Sequence, residues 1–148
     1  MCRRGVRPVV GVGSLPGEVE HPRDLPALPE ERRLAAAHRA YNDRLLEAHM
    51  RAGVTVVDPA TTYVDMDVVV GADTVIHPGV FLEGQTRIGA ACEIRSHVRI
   101  SDSELEDHVT VNNFCVISGA RVASGAAIGP FAHLRPDTVV GRHARVGN

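Results

Sequence analysis

Residues 64–100 read VDMDVVVGADTVIHPGVFLEGQTRIGAACEIRSHVRI, and this stretch decides the fold because an aliphatic residue recurs at every sixth position. The pattern continues to residue 146, with two steps of five residues instead of six. The aliphatic positions, all Val, Ile or Leu, are 64, 70, 76, 82, 88, 94, 100, 105, 111, 117, 122, 128, 134, 140 and 146. Since these three residue types make up only about a quarter of residues 64–148, the sequence contains a genuine internal repeat.

A second set of positions, four residues after the aliphatic ones, carries only small or β-branched residues: Val68, Thr74, Val80, Thr86, Cys92, Val98, Val109, Cys115, Ala126, Ala132, Thr138 and Ala144. A six-residue unit with one large and one small inward side chain is typical of a short strand plus a corner, stacked three units to a coil as a parallel β-helix. With neighbouring coils about 4.8 Å apart, the repeat predicts about five coils and a prism roughly 25 Å long.

Glycines directly follow several of the aliphatic positions: Gly71, Gly89, Gly129, Gly141 and Gly147. We expect a sharp turn at this position, which is easiest for a residue without a Cβ. The corners of the β-helix are therefore predicted to begin at these glycines.

Residues 29–53 predict one helix in front of the β-helix. Residues at helical spacing form one stripe: Leu34, Ala37, Tyr41, Leu45 and Ala48. Pro29 suits the first turn, with two acidic residues after it, and Gly53 suits the exit. We expect His38 and His49 to be surface residues on the polar side of this helix, because neither has a partner at the spacing of a metal-ligand pair.

Residues 1–28 are rich in Gly and Pro and have no periodicity, which predicts an irregular tail. The run GVGSLPG at 11–17 superficially suggests a phosphate-binding loop. No strand precedes it and no Lys-Ser/Thr follows it, so the mechanism of such loops is missing. The predicted organisation is a tail at 1–28, a linker helix at 29–53 and an all-β domain, the β-helix, at 54–148.

Composition excludes several classes of partner. The 148 residues include 16 basic and 18 acidic side chains, a formal charge of −2 that gives no reason to expect nucleic acid or a membrane surface. No apolar run approaches the roughly 18 residues of a membrane span. Cys2, Cys92 and Cys115 have spacings that match no zinc or redox motif, and their odd number favours a reducing, cytoplasmic location. Within the repeat, Cys92 and Cys115 are expected to be inward fillers rather than reactive thiols.

Five histidines lie in the repeat: His77, His97, His108, His133 and His143. Some β-helices of this kind, the γ-type carbonic anhydrases, resemble this chain and bind zinc through three histidines across a subunit boundary. Such a site can generate a zinc-bound hydroxide. No two of these histidines have the close spacing of that family, so we expect exposed or satisfied histidines and no metal, and a zinc-dependent enzyme of this type is the less favoured alternative.

Two parts of the sequence resemble a known family. RLLEAHMRAGVTVVDPATTYVD at 44–65 looks like a linker into a first coil, and IGPFAHLRP at 128–136 with VGN at 146–148 is similar to a motif pair. Both are typical of the bifunctional N-acetylglucosamine-1-phosphate uridylyltransferase/glucosamine-1-phosphate N-acetyltransferases, the GlmU family, and the resemblance covers about residues 34–148.

The resemblance implies a left-handed β-helix in a homotrimer, with acetyl-CoA as cosubstrate in the grooves between the prisms. It also implies N-acetylation of glucosamine 1-phosphate and, in the full-length family, Mg²⁺-dependent uridylyl transfer, both towards UDP-N-acetylglucosamine. A sugar phosphate or UDP-sugar is thus the expected ligand.

Arg135 is the one residue to which the resemblance assigns a role, because the arginine of the LRP motif binds the phosphates of the sugar nucleotide. Its corner position agrees with this, since an outward guanidinium can hold a phosphate through two parallel hydrogen bonds. The alternative is a solvated corner charge like Arg95, which occupies the same position of the repeat.

The chain also departs from the family pattern. The lysine expected after VGN and the histidine, tyrosine, asparagine and second lysine of later coils are not matched, and Pro29 and Glu30 stand near an expected asparagine. His133 and Asp137 stand where Arg and Gly are more common. We therefore predict a β-helix truncated at its C-terminal end, with no catalytic residue, no bound cofactor and no activity of its own. A non-catalytic trimerisation scaffold remains an alternative.

Overall fold

The computed structural model describes residues 29–147, and its larger compact unit begins at Ala36. One helix, α1 (Glu30–Arg51), precedes sixteen short strands. The strands are β1 Thr55–Val56, β2 Tyr63–Val64, β3 Val69–Val70, β4 Val75–Ile76, β5 Phe81–Glu83, β6 Arg87–Ile88, β7 Glu93–Ile94, β8 Arg99–Ser101, β9 Glu104–Leu105, β10 Thr110–Val111, β11 Val116–Ser118, β12 Arg121–Val122, β13 Ala127–Ile128, β14 His133–Leu134, β15 Val139–Val140 and β16 Arg145–Val146. The predicted tail and the glycine-rich run at 11–17 lie outside the described residues.

Every third strand joins the same parallel sheet, which makes a β-solenoid of about five coils and confirms the predicted β-helix. The first sheet contains β1, β4, β7, β10, β13 and β16, the second β2, β5, β8, β11 and β14, and the third β3, β6, β9, β12 and β15. Partners in successive coils are 18 residues apart where the repeat is regular, as in Tyr63 and Phe81. They are 17 apart across a five-residue step, as in Val116 and His133.

The core is built from the two predicted sets of inward residues. Fourteen of the fifteen aliphatic positions are buried, and Val146 is half-buried. The second set is buried except at Thr138 and Ala144, which are half-buried. At the two five-residue steps the small inward position is taken by Ser103 and Ala120. Val56 of β1 is also in the core, ahead of the first repeat position at Val64.

The corners begin at the glycines that follow the aliphatic positions, as predicted; at Gly141 the N–H of Ala144 donates to its carbonyl at 3.2 Å and closes the turn. Positive φ occurs further along each corner, at residues such as Asp73 and Phe131. At Gly71 there is no space for a side chain, because an added Cβ would lie 2.6 Å from the backbone nitrogen of Ala90 in the next coil. Glycine here lets two coils approach at β-sheet distance.

The end of α1 follows the sequence prediction at Gly53. This residue has φ +97°, and the N–H groups of Gly53 and Val54 donate to the carbonyls of Met50 and His49 at 3.1 Å each. These two hydrogen bonds form a Schellman motif, which ends a helix with a residue in the left-handed region.

The predicted apolar stripe of α1 is not the side of the helix that packs on the coils, so this prediction was wrong. Leu34 and Tyr41 are exposed by 65% and 47%, whereas Asn42 and Leu46 are buried. His49 is half-buried on this packed side rather than on the polar side, and burial lowers the pKa of its imidazole. His38 is exposed as expected.

Polar contacts hold α1 on the first coil. The amide nitrogen of Asn42 donates to the carbonyl of Thr62 at 2.8 Å, and its amide oxygen accepts from the N–H of Val64 at 3.0 Å. Arg39 adds a hydrogen bond of 2.7 Å to the carbonyl of Ala60. Asn42 therefore takes the place that a preceding strand would have beside β2, and it satisfies part of an open sheet edge.

Candidate functional site

The sequence candidate Arg135 lies at the corner that follows β14. Leu134 is 5% exposed and anchors the strand in the core, so the next side chain points outward. The N–H of Thr138 donates to the carbonyl of Arg135 at 3.1 Å and closes the turn. The corner is thus set by one buried leucine and one backbone hydrogen bond.

The coil below supports this corner closely. The N–H of Asp137 donates to the carbonyl of Gly119 at 2.9 Å, and Asp137 has φ 66°. A Cβ added to Gly119 would lie 3.2 Å from the Cα of Pro136, so the two coils are in tight contact here. Arg135 is therefore presented from a supported backbone rather than from a loose loop.

The guanidinium of Arg135 is exposed and forms no ion pair or hydrogen bond with any residue between 29 and 147. Arg95, at the equivalent position of another unit, lies 3.4 Å from the carboxylate of Glu93. The two arginines thus differ in a way the repeat did not reveal. All donors of Arg135 are available to a ligand, and their planar arrangement matches phosphate or carboxylate.

The surroundings of Arg135 are set by the stacking of the coils. His133, on the same strand, is exposed and also faces outward. Ser118 ends β11, the strand paired with β14, and is half-buried. A groove of about 470 Å³ runs along the third sheet and reaches this corner at Asp137. The sequence analysis singled out neither Ser118 nor the groove, because it did not align the coils with one another.

The other sequence candidates are dispersed. His77 lies 3.3 Å from Glu93, while the remaining repeat histidines are exposed. Within the described part of the chain, no three His, Cys, Asp or Glu side chains are placed to share a metal ion.

Both described cysteines are inward fillers, as predicted. Cys92 and Cys115 are 2% and 0% exposed, and burial raises the pKa of each thiol. The Cys115 thiol also donates to the carbonyl of Gly129 at 2.7 Å. A raised pKa disfavours the thiolate, so neither cysteine has the environment of a nucleophile.

An exposed aromatic column is a surface feature that the sequence analysis missed. The rings of His97, Phe114 and Phe131 stack in successive coils, with neighbouring centroids 5.2 Å apart. Phe114 and Phe131 are 49% and 65% exposed, and all three residues have positive φ. Large apolar side chains in this backbone region are uncommon, so the column stands out from the other corners.

No helix of residues 29–147 has the length and apolar character needed to cross a membrane.

Comparison with known proteins gives one matching family model and several relatives. A family model, the GMPPB C-terminal domain, matches residues 55–148. Bifunctional protein GlmU of Thermodesulfovibrio yellowstonii is 45% identical over 115 residues, which cover 78% of this chain and 25% of the relative. The GlmU of Anaeromyxobacter dehalogenans is 51% identical over 115 residues (78% and 24%), and that of Streptomyces coelicolor 43% over 125 residues (84% and 26%).

These relatives confirm the resemblance inferred from the motifs. The chain spans about a quarter of the length of the curated relatives it matches.

Proposed function

The chain belongs to the GMPPB C-terminal domain family, and we propose that it supplies a phosphate-binding part of an enzyme of sugar-nucleotide biosynthesis that acetylates a sugar phosphate. The relatives are named bifunctional GlmU proteins. Their acetyl-CoA-dependent reaction, N-acetylation of glucosamine 1-phosphate towards UDP-N-acetylglucosamine, is the one we assign to the enzyme that contains these coils.

The observation that carries the proposal is the unpaired guanidinium of Arg135 on a supported corner. A sugar nucleotide presents phosphate oxygens that can accept two parallel hydrogen bonds from one guanidinium. Backbone hydrogen bonds involving Gly119 and Thr138 fix this corner, as similar bonds fix other corners, so the guanidinium extends from a fixed backbone. Arg135 is therefore assigned to ligand binding and not to proton transfer.

We do not assign chemistry to any described residue. Uridylyl transfer in the family uses Mg²⁺, and the described residues do not offer a cluster of three His, Cys, Asp or Glu for a cation. His133 is the repeat histidine that lies beside Arg135, and the two described cysteines point into the core. The expected behaviour of the isolated chain is binding of the sugar nucleotide without turnover of acetyl-CoA and glucosamine 1-phosphate.

The exposed aromatic column supports assembly of the chain with copies of itself, and we assign a homotrimer. Phe114 and Phe131 offer stacked apolar surface beside Val116, which is 39% exposed. Aromatic residues are enriched in the buried centres of protein interfaces. A second copy would remove this surface from water.

The direct test is titration of the full 148-residue chain with UDP-N-acetylglucosamine, followed by calorimetry or by amide chemical shifts. Arg135→Ala should weaken binding by about tenfold or more, because it removes charged hydrogen bonds to phosphate. Arg95→Ala is the matched control, since Arg95 occupies the same position of the repeat but is paired with Glu93. Equal affinity of Arg135→Ala and the unsubstituted chain would overturn the proposal.

A second measurement addresses activity. The purified chain, incubated with acetyl-CoA and glucosamine 1-phosphate, should release no coenzyme A above background. Sustained turnover would show that residues within this chain complete the reaction, and it would contradict the assignment of binding alone.

A further inference from the structure

The coil below Arg135 places one hydroxyl beside it. β11 and β14 pair with Val116 opposite His133 and Ile117 opposite Leu134. One residue further along, Ser118 comes opposite Arg135. Because Ile117 and Leu134 point into the core, alternation directs both of the following side chains outward.

Ser118 has an available hydroxyl proton. The hydroxyl of Ser101, one coil lower, donates to the hydroxyl oxygen of Ser118 at 3.2 Å. A serine that accepts in this way can still donate its own proton to another group. Ser118 is half-buried, so the neighbouring coils already restrict its side chain. It therefore loses little conformational entropy when it binds a ligand.

The same outward column changes from acid to base along the prism: Asp65, Glu83, Ser101, Ser118 and Arg135. At the acidic end, Asp65 accepts from the N–H of Gly84, and Glu83 holds the guanidinium of Arg99 through two hydrogen bonds of 2.7 Å each. These carboxylates are occupied and would repel an anion. The part of the column that is open to an anion is the end formed by the serines and Arg135.

We infer that Ser118 is a second phosphate-binding residue, donating its hydroxyl proton to an oxygen of the phosphate that Arg135 holds. Neighbouring coils are about 4.8 Å apart, so one phosphate can contact side chains of both coils. This inference rests on the proposed function of Arg135. It adds a contact from the coil below, which makes the site a feature of two stacked coils and not of the LRP corner alone.

The experiment is the same titration of the full chain with UDP-N-acetylglucosamine, applied to Ser118→Ala. The dissociation constant should rise about tenfold, the usual effect of removing one hydrogen bond to a charged group. Ser118→Thr keeps a hydroxyl and should bind within about threefold of the unsubstituted chain. Ser96→Ala is the matched control, because Ser96 lies at a different corner of the prism, and it should leave the affinity unchanged.

The outcomes separate the two proposals. If Arg135→Ala weakens binding while Ser118→Ala stays within twofold of the unsubstituted chain, the role of Ser118 is overturned and that of Arg135 stands. If Arg135→Ala binds normally, or the unsubstituted chain does not bind, the proposed function falls and the role of Ser118 falls with it. Equal loss of affinity in Ser118→Ala and Ser118→Thr would also count against a hydroxyl contact.

Discussion

Asn42 closes the open edge of the first coil, and its replacement by alanine should destabilise the fold measurably. The side chain makes two buried hydrogen bonds, of 2.8 Å to the carbonyl of Thr62 and 3.0 Å from the N–H of Val64. Asn42 itself is only 7% exposed, so water cannot easily take its place. Asn42→Ala leaves one carbonyl and one N–H without partners.

The magnitude follows from these two groups. A buried polar group that loses its partner costs about 1–3 kcal/mol, which gives about 2–6 kcal/mol for the pair. Alanine is the better helix former by roughly 0.6 kcal/mol, which offsets part of the loss. We expect the free energy of unfolding to fall by about 3 kcal/mol, a large fraction of the about 5–15 kcal/mol that stabilises a typical domain.

The assay is urea unfolding of the full chain followed by circular dichroism at fixed protein concentration. Arg44→Ala is the control, because Arg44 is an exposed residue of the same helix without a described partner. Hydrogen exchange provides a local readout, since the amide of Val64 should lose protection in Asn42→Ala. A change in unfolding free energy within 0.5 kcal/mol of the Arg44→Ala control, with Val64 still protected, would refute the edge-closing role.

Three further outcomes follow from the packing of the coils. Gly71→Ala should lower the free energy of unfolding by about 1–3 kcal/mol, because the new Cβ would lie 2.6 Å from the next coil. Gly141→Ala should lower it much less, because a Cβ at this position has no atom within 4 Å. Equal urea midpoints of the two variants would contradict this reasoning. Phe131→Asp should shift the chain towards monomer in analytical ultracentrifugation without loss of fold, since Asp tolerates positive φ better than Phe; an unchanged sedimentation coefficient would exclude the aromatic column from the interface. The thiol of Cys115 should react with a disulfide reagent at pH 8 only as the chain unfolds, because burial raises its pKa and disfavours the thiolate; rapid reaction of the folded chain would argue against the buried placement.

Much of the fold was predictable because a β-helix is determined by a local repeat. One aliphatic residue in every unit specifies which side chain points inward, and two five-residue steps shift the frame without breaking it. The position of Arg135 was predictable for the same reason, since the residue after Leu134 must point outward. The helix exit at Gly53 was equally local, because a left-handed residue after the last turn satisfies the final carbonyls.

The contacts between coils were decided only by the tertiary structure, because they join residues 17 or 18 positions apart across stacked strands. The stacking leaves no room for a side chain at Gly71, because the backbone of the next coil lies against it. It also brings Ser118 beside Arg135 and aligns the rings of His97, Phe114 and Phe131. The packed side of α1 was misassigned for a related reason. The helix meets a sheet edge whose backbone groups need hydrogen bonds, so polar Asn42 rather than an apolar stripe faces the first coil.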